Sequence, residues 1–194
     1  MTKIARNSLL SLEEYAKKRT DIRTEAMRLK KIRSVFVGPN MTLQFESEAT
    51  IRYQIQEMLR IEKTFEEDGI QDELEAYNPL VPDGTNLKCT QMIEFPDEDE
   101  RRVRLAELVG VEDRTYIQVQ GHDRVYAIAD EDLDRSTATK TSSVHFSRFE
   151  FTADMIKAIK SGVPIAMGVD HPKYNYRVYE IDPETQGALT KDFA

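Results

Sequence analysis

Three pairs of short apolar stretches, each pair split by two to four residues of turn chemistry, constrain this chain more than any other feature. Residues 34–38 and 41–46 flank Pro39-Asn40, residues 115–120 and 125–129 flank Gly121-His122-Asp123-Arg124, and residues 163–169 and 174–181 flank 170–173. Strands joined this closely pair antiparallel, because a parallel connection needs a crossover of a dozen or more residues. Leu87, Cys89, Ile93 and Phe95 share one parity and predict a further strand over 87–95. Another spans 142–151, where the apolar parity changes between Phe146 and Phe149; that change predicts a bulge or an exchanged face.

Helical signals dominate the first half. Ser11-Leu12-Glu13-Glu14 is a capping-box pattern, and Leu12, Tyr15, Ile22, Ala26 and Leu29 then recur at three-and-four spacing to about Lys31. Arg19 interrupts that stripe. A second helix is predicted from Ser47 to about Phe65, its buried face made by Ile51, Ile55 and Met58, with Glu62 on that face and Tyr53, Glu57 and Arg60 opposite. Gly69 is expected to stop it, before a short helix over 70–77. Asp97 and Thr152 cap helices expected to end at Gly110 and Gly162. The fold class expected is α+β: a mainly antiparallel sheet built from hairpins, a long N-terminal helix and three or four further helices. Residues 1–33 form a basic helix packed on or extending from the body, and 34–194 a single α+β domain.

Charge divides the chain at the same place. Residues 1–33 hold ten Lys/Arg against four acids, net +6, while the other 161 residues are net −14. Such a segment can dock on nucleic acid, on a partner's acidic face, or on its own body. The candidate partner surface is Lys17, Lys18, Arg19, Arg23, Arg28, Lys30 and Lys31. Nucleic acid is the least favoured partner, since the whole chain is net −8 and no aromatic residues interleave with these bases. The longest apolar runs fall far short of the ~20 residues that span a bilayer, and the first twenty residues are too polar for a signal peptide. A cytoplasmic protein is therefore expected.

Strong chemical motifs are missing. There is no phosphate-cradling glycine loop, no His-Glu-x-x-His, no Cys-x-x-Cys and no Glu-x-x-His. One cysteine excludes a disulfide framework or a Cys-only metal site within one chain, and Cys89 shares the face of a buried strand. No cofactor is assigned. The groups able to hold a divalent metal are His122, His145 and His171 with Glu57 and Glu62, but they lie on different elements without ligand spacing. Glu62 on an apolar helix face needs a cation, a metal, a proton or water. The acid run at 130–134 lacks the Gly and terminal Glu of a calcium loop.

The stretches Arg52–Met58, Gly69–Gly84, Val125–Asp130 and Gly168–Pro172 resemble a bacterial family known only as a domain of unknown function, over essentially the whole chain. No activity or catalytic residue follows from the resemblance. It implies a context: members are commonly encoded beside a rubrerythrin and an iron–sulfur protein similar to a heterodisulfide-reductase subunit. An accessory protein of an iron-dependent system for peroxide or oxygen defence is the leading expectation. The alternative is a metal-dependent enzyme using His and carboxylate ligands.

Overall fold

The computed structural model describes residues 3–194. Helix α1 (Leu12–Ile32) starts at the expected capping box: Ser11 Oγ accepts from Glu14 N, and the Glu14 carboxylate accepts from Ser11 N, both at 3.2 Å. Strands β1 (Ser34–Phe36) and β2 (Met41–Phe45) form the first hairpin. Helix α2 (Glu48–Glu62), capped by Ser47, ends earlier than the sequence suggests. Lys63 takes a left-handed conformation (φ +56°) and closes it, so Gly69 lies inside α3 (Glu67–Tyr77) instead of stopping α2.

Strand β3 (Asn86–Ile93) is followed by α4 (Glu98–Glu107), β4 (Thr115–Val119), β5 (Arg124–Tyr126) and β6 (Ile128–Ala129). Then come β7 (Val144–Glu150), α5 (Ala153–Lys160), β8 (Ile165–His171), β9 (Tyr174–Val178) and α6 (Pro183–Thr190). Two antiparallel sheets result, ordered β1-β2-β3-β7-β6 and β5-β4-β8-β9, which is an α+β arrangement. All three expected hairpins are present.

The inward faces of both sheets contribute to one apolar core, including Leu43, Phe45, Leu87 and Phe149 of the first sheet and Ile117, Ile165 and Met167 of the second. Helices α4 and α5 add Leu105, Met155 and Ile159 to it. A second cluster joins Ile51, Ile55 and Leu59 of α2 to Ile70 and Leu74 of α3 and to Ile4 and Leu9. Close approach explains one glycine: a Cβ on Gly168 would lie 2.5 Å from the Tyr116 hydroxyl on the neighbouring strand.

Two expectations about strands are corrected. The stretch 125–129 is not one strand. Tyr126 pairs with Tyr116 in the second sheet, whereas Ile128 pairs with Arg148 in the first, so the chain crosses between sheets at Ala127. Strand β7 has no exchanged face: its burial alternates regularly, with His145, Ser147 and Phe149 inward. The apolar pattern breaks because two polar residues occupy core positions, and Phe146 points outward beneath the Arg135 guanidinium, 4.6 Å from its ring centroid.

Candidate functional site

The basic helix presents an inner side to the rest of the fold and an outer side to solvent. On its inner side, Tyr15 and Ala26 are buried. Arg19 meets Glu57 of α2 in a bidentate pair, Nε to Oε1 and Nη2 to Oε2 at 2.8 Å each, and Tyr15 donates to Glu57 Oε1 at 2.7 Å. Tyr53 and Glu57 are therefore buried, against the sequence expectation, because α1 covers that face of α2. The Arg19 guanidinium draws the Glu57 carboxyl down to about 2, with burial opposing and the Tyr15 hydroxyl and Arg60 assisting. Glu57 is thus an internal anchor. Glu62 faces solvent.

At the end of α1, Arg33 is buried and donates to the carbonyls of Phe45, Glu46 and Ala188 and to the Asp192 carboxylate. On the outer side, Lys17, Lys18, Arg23, Arg28 and Lys31 are exposed. Lys17 pairs with Glu13 and Arg28 with Glu25 on the same helix. Among the described residues, Lys18, Arg23 and Lys31 have no ion-pair partner. Lys30 is half-buried, with its ammonium 6.0 Å from the Tyr53 ring centroid.

The three histidines stand apart. His122 is in the β4–β5 turn, where its carbonyl accepts from Gln118 Nε2 at 2.9 Å. His171 ends β8 and is buried; its Nε2 donates to Val109 O at 3.2 Å and its Nδ1 accepts from Lys173 N at 3.2 Å. Both nitrogens are occupied by backbone, so the ring brackets the α4–β4 connection to the β8–β9 turn.

His145 is fully buried at the centre of a polar network. Its Nδ1 lies 2.6 Å from Asp130 Oδ2; its Nε2 lies 2.9 Å from Thr141 Oγ1 and 3.1 Å from Ser142 O. Thr141 donates to Glu112 Oε2 at 2.9 Å, and that oxygen stands 3.9 Å from His145 Nε2. The Thr141 hydroxyl proton is thus committed to Glu112, and Ser142 O can only accept. Asp130 also accepts from Phe146 N and Arg135 Nη1. The ring is thus held at both nitrogens, between the Asp130 and Glu112 carboxylates. Sheet switching at Ala127 is what carries Asp130 to His145. The network closes the loop 130–143 onto the sheet edge, and its histidine offers no surface to a substrate.

Beside it, a cavity of about 690 Å³ is lined by Asp113, Arg114, Tyr126 and His171 with Val109, Gly110 and Pro172. Burial, then the adjacent Glu112, raise the Asp113 carboxyl. Tyr126 donates to Asp170 Oδ2 at 2.6 Å, and Arg124 reaches the same oxygen at 2.8 Å. Tyr126 and His171 are thus held by Asp170 and by backbone, whereas Asp113 and Arg114 make no side-chain hydrogen bond or ion pair among the described residues. Burial pushes the Cys89 thiol up, away from thiolate chemistry. Among the described residues, no three His, Cys, Asp or Glu side chains form a group that could hold a metal ion, and no helix is long and apolar enough to cross a membrane.

Sequence reasoning missed Glu112, Asp130, Thr141 and Arg135. The one available signal was the acid run 130–134 following a strand, read only against a calcium loop. Arg135 follows it and in the fold binds Asp132 at 2.6 Å and Asp130 at 3.1 Å.

These features define an α+β protein with two antiparallel sheets, a buried His–carboxylate network and a basic helix locked on from outside. The chain belongs to the family described as "Protein of unknown function (DUF3501)", whose model matches residues 3–193. It is similar to a crystal structure of a novel protein of unknown function from Burkholderia pseudomallei K96243, at 52% identity and a TM-score of 0.94, covering 100% of each chain. No curated protein matches it.

Proposed function

We propose that this chain is an accessory protein of an iron-dependent redox system handling peroxide or oxygen, and that the outer side of α1 docks an acidic partner. One observation carries the reading. The inner bases of α1 are consumed by Glu57 and Asp192, whereas Lys18, Arg23 and Lys31 remain exposed without ion-pair partners among the described residues. Internal neutralisation therefore accounts for part of the helix's charge and leaves the rest to solvent or a partner. Exposed cations without ion-pair partners, on a chain of net charge −8, favour encounter in one orientation, because the rest of the molecule repels the same acidic surface.

The redox setting is supported by the resemblance to a family encoded beside a rubrerythrin and an iron–sulfur protein. Those two are the partners proposed. The test is a pull-down of the tagged chain from its host at low and high salt. Recovery of either partner at low salt, reduced at high salt and retained after nuclease treatment, is expected. Recovery of neither, or of material released by nuclease, would overturn the reading.

A further inference from the structure

A second hollow lies between the outer face of the first sheet and the α3 side of the helical layer. Its volume is about 510 Å³, within the range of small-molecule sites, and its walls include Tyr77, Pro79, Leu80 and Phe146. A further space of about 400 Å³ shares Tyr77, Leu80 and Phe146 with it, so the apolar lining continues beyond one chamber.

The charges in the wall are unevenly satisfied. Arg148 is taken by Glu131 through two contacts of 2.8 Å and by Glu150 at 2.7 Å. Lys88 is mostly covered and donates to Pro79 O at 2.7 Å, with Asp83 at 3.8 Å. Asp132 is held by Arg135. Glu73, on α3, is different. Its carboxylate has neither a hydrogen bond nor an ion pair among the described residues; one oxygen, Oε2, is sealed from solvent, yet the residue lines the hollow. Burial and the neighbouring Glu62 and Asp72 raise this carboxyl, the response of an anion lacking a counter-charge.

An unpaired, half-buried carboxylate is costly unless something positive or hydrogen-bond-donating meets it. Here it borders a cavity whose other prominent features are two aromatic rings, whose faces attract cations. Anions are poorly suited, because the nearby cations already have partners and the surplus charge is negative.

We propose that this hollow binds an organic amine with an apolar or aromatic body. Its ammonium group pairs with Glu73, and its body lies along Tyr77, Leu80 and Phe146. This site is separate from the docking surface proposed on α1, and the two stand or fall independently.

The experiment is calorimetric titration of the full chain with phenethylamine and with 2-phenylethanol, which has the same body without the charge. Saturable binding of the amine, at least tenfold tighter than the alcohol, is expected on the unaltered protein. Glu73→Gln should weaken the amine at least tenfold without affecting the alcohol, and Phe146→Ala should weaken both several-fold. Thermal melts of each variant show whether it has folded; if E73Q does not fold, the amine-to-alcohol ratio on the unaltered chain decides alone. Absence of saturable amine binding, equal affinity for the two compounds, or unchanged affinity in folded E73Q would overturn the assignment.

Discussion

Two arginine–carboxylate pairs hold α1 to the rest of the molecule, and the two carboxyls respond in opposite directions. Arg19–Glu57 lies at the edge of the α1–α2 contact, with the arginine side chain 36% exposed and the glutamate 12%. There, direct hydrogen bonds from charged Arg19, helped by Tyr15 and Arg60, outweigh desolvation, and the Glu57 carboxyl falls to about 2. Arg33–Asp192 is almost wholly enclosed, at 4% and 5%. Burial pushes Asp192 up to about 6 against the pull of Arg33, which is shared with three backbone carbonyls. The chemical pair is the same, and depth decides the sign. An ion pair near water is strengthened by each added donor, whereas a buried one must first offset the loss of hydration.

The comparison is broken most severely by Arg33→Met. It strands Asp192 and leaves three carbonyls unpaired, so unfolding in urea at pH 7 should show a loss of about 3–5 kcal/mol. The loss should shrink near pH 5, where the stranded carboxyl takes up a proton. Asp192→Asn sharpens the same point. A carboxyl raised in the fold stabilises fully below its unfolded pKa, near 4, and that contribution disappears as pH rises through about 6. Relative to D192N, the natural protein should therefore lose about 2–3 kcal/mol between pH 4 and pH 7. A flat difference across that range would remove the claim that desolvation governs this pair.

Glu57→Gln should act with the opposite sign. A carboxyl lowered in the fold contributes above its unfolded pKa, near 4.5, and loses that contribution as pH falls toward about 2. A cost of about 1–2 kcal/mol at pH 7 is expected, fading through that window, by chemical denaturation. Tyr15→Phe removes one charged-acceptor hydrogen bond and should cost about 1–2 kcal/mol. Smallest of all, alanine at Lys18, Arg23 or Lys31 should move stability by no more than about 0.5 kcal/mol each. Those side chains anchor nothing within the fold.

What the sequence made legible was local. The Ser11–Glu14 capping box, the Asp97 and Thr152 caps and the three hairpins each depend on residues within a few positions of one another. Gly69 misled because a left-handed Lys63 had already ended α2, which no propensity scale favours. Helix α6 was not anticipated, although Asp182 followed by Pro183 is a cap with proline in the first turn. The polar network was out of reach for another reason. Asp130 meets His145 only because the chain changes sheets at Ala127, and period-two patterning is silent on which strand a partner belongs to. Arg33 and Asp192, 159 residues apart, were invisible for the same reason.

The division of α1 into an inner set that locks the helix and an outer set proposed to meet a partner is tested most directly by titrating the purified chain against a rubrerythrin and a heterodisulfide-reductase-like iron–sulfur protein, the proposed partners, at two salt concentrations, beside a K18A/R23A/K31A variant. The account predicts salt-dependent binding of at least one of them, weakened about tenfold in the variant, whose melting temperature is unchanged. Equal binding by both forms, or none by the natural chain, would contradict it.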